Sequence, residues 1–365
     1  MYQNLFKMYI RKALIVLTGM ALFLGLTLLP SDSHALVDSP EPYLFKDINQ
    51  GDSDSSPWLL TDVNGTLFFS TDDGVHGREL WKSDGTPEGT MMVKDITPGD
   101  SSSPEDLTAV NGMLFFRADD GVHGRELWMS DGTTAGTVMV KDIYPGGDGS
   151  YPFYLINVNG TLFFAANDGV HGWELWKSDG TPDGTLLIKD IHPGDDGVGW
   201  DTYMTSVNGT LFFAAVDDVH GTELWKSDGT ANGTVMVKDI NPWGNDPPRS
   251  LTDVNGTIFF AANDDVHGFE LWKSDGTAAG TVMVKDINPI YGSGVGELTD
   301  LNGTLFFEAN DGVHGYELWK SDGTAAGTVM VKDIYPGGEE DGSWPGLLTD
   351  VNGTLFFSAD DGVHG

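Results

Sequence analysis

Several things are scarce or missing in this chain, and each absence narrows the reading. There is no cysteine, so no disulfide holds the fold together and stability has to come from an apolar core. After residue 35 the only arginines are Arg78, Arg117, Arg125 and Arg249, too few for the arginine cluster that grips a carboxylate in sialidase-type chemistry. No apolar run after residue 35 is long enough to cross a bilayer, and no useful length of helical period appears there. Zinc-binding, phosphate-loop and nucleophile-elbow motifs are all missing. Basic residues number 19 against 55 acidic ones, a formal net charge of −36. Such a surface repels phosphates, which excludes nucleic acid as a partner. It also keeps the protein soluble and attracts cations. Aromatic content of 11% argues against disorder despite the acidity.

The first 35 residues read as a secretory signal peptide. Lys7, Arg11 and Lys12 precede an apolar run over 13–29, and Ser33-His34-Ala35 offers small residues for cleavage after Ala35. An uncleaved membrane anchor is the alternative. With cleavage, residues 36–365 form a single exported domain that is not transmembrane, secreted or held at the cell surface.

What the chain has in abundance is itself, repeated. Trp81, Trp128, Trp176, Trp225, Trp272 and Trp319 each close an "ELW". Residues 249–287 show the unit. "SLTDV" alternates, and "NG" is the strongest two-residue hairpin signal because both positions tolerate positive φ. "TIFFAA" is β-branched and aromatic, "NDDVHG" is a turn, "FELWKS" a strand, "DGTAAG" a Gly-rich turn and "TVMVKDI" a strand. Call the four strands A, B, C and D. Short strands at hairpin distances form an antiparallel meander. Strands B and C are apolar on both faces, so each sheet needs a neighbour on either side. Repetition at this period predicts an all-β fold, a β-propeller of four-stranded blades; an open β-solenoid is the alternative. Full repeats are expected at 57–96, 104–143, 152–191, 201–240, 249–287 and 297–334. A lone closing strand D at 42–48 and a partial repeat at 345–365 would make an incomplete seventh blade without its third strand. The abrupt end after "DDGVHG" leads to the expectation of a truncated copy or a defective last blade.

"ELWKSDGT" is similar to the signature of the ELWxxDGT-repeat proteins, a group of exported bacterial repeat proteins. The resemblance covers the chain from about residue 42 onward, and it implies secretion and a β-rich repeat fold but no established activity. The "SDGTxxGT" turn also resembles the Asp-box hairpin of sialidase-like propellers, at a different spacing.

Successive antiparallel strands turn at alternate ends. The A–B and C–D turns therefore share one end and hardly vary, while the B–C turns and the D–A connections share the other. The D–A connections vary most, and variable loops on a rigid scaffold are where binding usually sits. In or beside them lie Trp58, Tyr151, Tyr154, Trp200, Tyr203, Trp243, Tyr291 and Trp344, and Trp173 stands before one "ELW". Flat aromatic faces beside carboxylates suit a sugar; the competing reading is that these rings plug gaps between blades. The B–C turns hold Asp72-Asp73, Asp119-Asp120, Asp217-Asp218, Asp264-Asp265 and Asp360-Asp361, with Asp168 and Asp311 following Asn in the other two. Oxygen-rich turns of this kind make calcium the candidate metal, against the plainer reading that Asp and Gly shape the turn. A histidine recurs in each turn, which suggests structure rather than a single active site. The expected function is a secreted binding or structural module that recognises an extracellular glycan or surface protein through the variable end. A propeller hydrolase or lyase, with no catalytic residue to name, and a purely structural surface-layer protein are the alternatives.

Overall fold

Every regular element is a strand in the computed structural model, which describes residues 43–364 except 201, 243 and 339–341. The segment 1–35, read from the sequence as a signal peptide, lies outside the described residues. In the fifth repeat the strands are Arg249–Val254, Thr257–Asn263, Phe269–Ser274 and Val282–Lys285. They pair in sequence order as an antiparallel meander. Sheets of the same order span 58–94, 105–141, 153–189, 204–238 and 296–332, and a two-stranded hairpin spans 346–358. The fold is thus all-β and propeller-like, as the repeats predict.

The chain divides into two compact units, Met1–Met139 and Val140–Gly365. In the first, Phe68 and Leu80 of the first sheet bury against Leu114, Phe116 and Trp128 of the second. In the second unit, Phe212 and Leu224 of the fourth sheet bury against Phe260 and Trp272 of the fifth. The opposite face of the fourth sheet, with Phe213 and Trp225, buries against Phe163 and Leu175 of the third. One sheet therefore has two dry faces, which is why strands B and C read as unbroken apolar runs.

Each A–B turn has the geometry that "NG" requires: Asn255 and Gly256 have φ of 53° and 82°. Lysines link neighbouring sheets. Lys238 Nζ donates to Thr281 O at 2.8 Å and lies 5.6 Å from the Trp272 ring centroid, a cation–π contact.

The closing strand expected at 42–48 does not pair. Residues 43–48 carry no strand ladder, although Phe45 and Ile48 bury against Phe69 and Trp81. Lys46 Nζ donates to Thr90 O at 2.5 Å, as Lys94 Nζ does to Thr137 O at 2.8 Å. The segment thus makes the packing and lysine contacts of a D strand without the ladder, because a strand needs a neighbour to hydrogen-bond. At the last hairpin, Phe356 and Phe357 are exposed, whereas their counterparts Phe259 and Phe260 are buried.

Candidate ligand-binding site

The variable loops are anchored from below by the glutamate of "ELW". Glu270 is fully buried and accepts from Ile287 N (3.0 Å), Asn288 N (3.2 Å) and Ser293 Oγ (2.7 Å). Glu317 does the same with Ile334 N, Tyr335 N and Ser343 Oγ. Burial raises the Glu270 carboxyl above the usual range against the pull of these donors. Two of the three donors are backbone amides, which any non-proline residue supplies. The loop is therefore fixed at its root while its side chains stay free to change.

Above this anchor, four positions per sheet vary while the residues around them hardly do. They are the first residue of strand A, the residue after it, the B-strand residue following "FF", and the residue before "ELW". The second of these has positive φ at Leu59, Asp106, Tyr154, Ser250, Glu297 and Leu347. In each of these sheets it lies where the A–B register shifts, and such a bulge re-aims side chains. The sequence reading picked out the residue before "ELW" and missed the other three as a set. Their signal was present, since Ser70, Arg117, Ala165, Ala214, Ala261 and Glu308 break an otherwise uniform "FF-x-A/T". All four arginines after residue 35 sit at these positions.

Each sheet fills the set differently. In the second sheet, Arg117 Nε donates to Glu105 Oε2 at 2.9 Å, Arg125 donates to the same oxygen at 3.0 Å, and Asp106 lies 3.3 Å from Arg117 Nε. In the fifth, the Arg249 guanidinium lies 4.5 Å from the Phe269 ring centroid. In the first, Arg78 donates to Ser56 O and Ser70 O and sits 5.9 Å from the Trp58 ring centroid.

The third sheet gathers aromatics. Trp200, at the end of the loop, stacks on Phe153 with centroids 4.2 Å apart and planes 16° apart. Trp173 meets Trp200 edge-on at 5.0 Å. Tyr154 packs edge-on against Phe153 at 5.1 Å, and its hydroxyl donates to Trp200 O at 2.7 Å. Phe153 is buried, whereas Trp200 remains 52% exposed. Tyr154, Trp173 and Trp200 of the expected ligand residues thus come together. Trp344 instead stacks on Tyr316 in the sixth sheet, centroids 4.3 Å apart. Tyr151, Tyr203 and Tyr291 are exposed and take part in none of these stacks. Trp243 lies outside the described residues.

The glutamate under the aromatic cluster differs from Glu270 and Glu317. Glu174 is fully buried, accepts from His192 N at 3.1 Å, and its Oε2 has no partner. The serine that serves Glu270 is Gly197 here, where a Cβ would meet both Glu174 carboxylate oxygens at 2.5 Å. Burial pushes the Glu174 carboxyl up to about 8, so it is mostly protonated at neutral pH.

The acids proposed for calcium are engaged within their own turns. Asp73 Oδ1 accepts from Val75 N and His76 N, and its Oδ2 meets His76 Nδ1 at 2.7 Å. Asp120, Asp168, Asp264, Asp311 and Asp361 bind their histidines likewise. Burial of Asp73 opposes ionisation, but these bonds hold its carboxyl below the usual range, while Asp73 raises the His76 imidazole. Asp72, Asp119 and Asp360 each accept the glycine amide two residues on, at 2.7 Å. The acid pairs are not equivalent, contrary to their appearance in the sequence. Asp217 holds His220, so Asp218 takes the glycine's place and pairs with His192 Nε2 at 2.9 Å. Asp265 likewise stands where glycine does, with φ of 65°. Among the described residues no group of three or more His, Cys, Asp or Glu side chains is arranged to hold a metal ion.

No family model matches the chain, and no curated protein matches it either. Among solved structures it is similar to the crystal structure of puromycin hydrolase, at 13% identity over 79% of this chain and 48% of that one, with a TM-score of 0.43. A mutant of puromycin hydrolase complexed with PGG gives 15% identity, 83% and 50% coverage and a TM-score of 0.42. A prolyl endopeptidase gives 10%, 75%, 49% and 0.38. The chain spans about half the length of each of these proteins.

Proposed function

We propose that this protein is an exported recognition module that binds an extracellular carbohydrate at the variable end of its sheets, with the third-sheet aromatic cluster as the main contact. The observation that carries this reading is the state of Trp200. One face of its indole is stacked on Phe153 while about half of its surface remains open. A ring held rigid by a parallel stack loses little freedom on binding, and it offers a flat apolar surface to the C–H face of a pyranose. Tyr154 fixes the Trp200 backbone through its hydroxyl, so the platform is pre-organised. The Asp196 carboxylate belongs to the same loop, its Oδ1 accepting from Trp173 N at 3.0 Å. Export rests on the reading of residues 1–35 as a signal peptide.

The test is a glycan array with the mature protein, run with calcium and with a chelator, followed by titration of the best glycan. Trp200→Ala is expected to weaken binding by about tenfold or more, the loss of roughly 1.4 kcal/mol, with the melting temperature little changed. Silence across the array, or a Trp200→Ala protein that binds as well as wild type, would overturn the reading. A chelator-sensitive signal would restore calcium as a participant.

A further inference from the structure

The sixth sheet fills its variable positions with groups that ask for a cation. Glu308 stands on strand B, Glu297 is the bulge residue, Tyr316 precedes "ELW" and Trp344 stacks on Tyr316. Position 296, where other sheets carry Trp58, Glu105, Phe153 or Arg249, is glycine, and a Cβ built there meets only Glu308 Oε2, at 3.5 Å. The space beside the Glu308 carboxyl is thus lined but not filled from strand A. Among the described residues no hydrogen bond reaches that carboxyl, although it is half-buried. Glu297 uses Oε2 to accept Leu347 N at 3.0 Å.

Other sheets show what belongs in such a place. In the second, the strand-A glutamate and the bulge aspartate are met by the guanidiniums of Arg117 and Arg125. In the fifth, Arg249 lies over the aromatic ring that precedes "ELW". The sixth sheet has both halves of that recognition, carboxylates as in the second and an aromatic ring as in the fifth, and no arginine of its own. We infer that this niche binds the guanidinium of an arginine side chain carried by a partner polypeptide, held between the carboxyls of Glu308 and Glu297 and the Tyr316–Trp344 stack. Guanidinium suits this better than ammonium, since it bonds a carboxylate through two parallel N–H groups and stacks flat on a ring.

Burial first, and the Glu297 charge second, push the Glu308 carboxyl up to about 7. Among the described residues Tyr316 is the other titratable group facing it, and it is raised as well, by burial and by Glu308. A cationic ligand favours the ionised carboxylate, so affinity should rise with pH through this range. The inference goes beyond the glycan reading and does not depend on it, because Trp200 takes no part.

The experiment is saturation-transfer NMR on the whole mature protein with N-acetyl-L-arginine amide, and with n-butylammonium for comparison. Arginine amide should bind, several-fold more tightly at pH 8 than at pH 5.5 and more tightly than the ammonium. Glu308→Gln should weaken it about tenfold. Gly296→Arg supplies a guanidinium in cis, as Arg249 does in the fifth sheet, so it should abolish binding and raise the melting temperature. Trp200→Ala should change nothing. No transfer from the wild-type protein would overturn the inference, as would equal binding of both probes. So would binding that survives Gly296→Arg, a variant that keeps the test sharp even if Glu308→Gln folds poorly.

Discussion

The C–D turn and the D–A loop of each sheet are built on opposite principles. At the C–D turn, side chains bond side chains and local backbone. Asp275 Oδ1 accepts from Thr277 N and Thr277 Oγ1, Thr277 Oγ1 accepts from Gly280 N, and Ser274 Oγ meets Thr281 Oγ1 at 2.6 Å. A Cβ at position 280 would overlap the Asp275 carboxylate, so even the glycine is dictated. At the D–A end the loop is held mainly by its own backbone amides on Glu270. The C–D turn therefore needs particular residues in each copy, whereas the D–A loop needs only a chain of the right path. Near-identity and variation between repeats follow from this difference without any appeal to selection for a ligand.

The sharpest way to break the contrast is to remove the anchor itself. Glu270→Ala would leave the two buried amides of Ile287 and Asn288 without their acceptor, at about 2 kcal/mol or more. Urea denaturation of the mature protein would read this as a lower midpoint at an unchanged slope. If the loss stays below about 1 kcal/mol, backbone anchoring does not hold the loops.

A second test concerns Glu174, an anchor that has Gly197 where Glu270 has its serine partner. The folded-state pKa of Glu174, about 8, lies above its ordinary 4.5, with Asp190 adding to burial and His171 opposing it. Between those values the folded state binds more protons than the unfolded chain, so stability falls as pH rises. The contribution is complete below about pH 4.5 and lost as pH passes through 8. The expected size is on the order of a few kcal/mol. Thermal melts from pH 5 to pH 9 should show a slope that Glu174→Gln flattens, leaving the variant the more stable protein at pH 9. A parallel slope in both proteins would mean that Glu174 stays ionised.

Much of the fold was legible because its signals are local. "NG", "DGTxxGT" and the two-faced "LFF" and "ELW" runs each state a turn or a strand, and repetition says it several times over. The unpaired segment 43–48 was not legible, since pairing depends on a neighbour rather than on propensity. The site was half legible. Trp173 and Trp200 could be singled out, but not the stack with Phe153, because a contact between residues 47 apart leaves no mark on either. The acid pairs misled although their mark is local: "DDGVH" carries a glycine that "DDVH" lacks, so the aspartate three residues before the histidine is Asp73 in one turn and Asp217 in the other.

The gentlest test pits one substitution at each end against the other. Thr281 is fully buried, and its hydroxyl bonds both Ser274 Oγ and Thr277 O. Thr281→Val keeps the shape and removes both bonds, which should cost about 1–2 kcal/mol. Tyr291, in the loop anchored by Glu270, is 77% exposed, and Tyr291→Ser should stay within about 0.5 kcal/mol of wild type. The more polar change at the variable end should therefore be the milder one, the reverse of what residue chemistry alone suggests. Were Tyr291→Ser the costlier, the loop's side chains would be bearing part of the structure, and their variation could no longer be read as freedom left over by backbone anchoring.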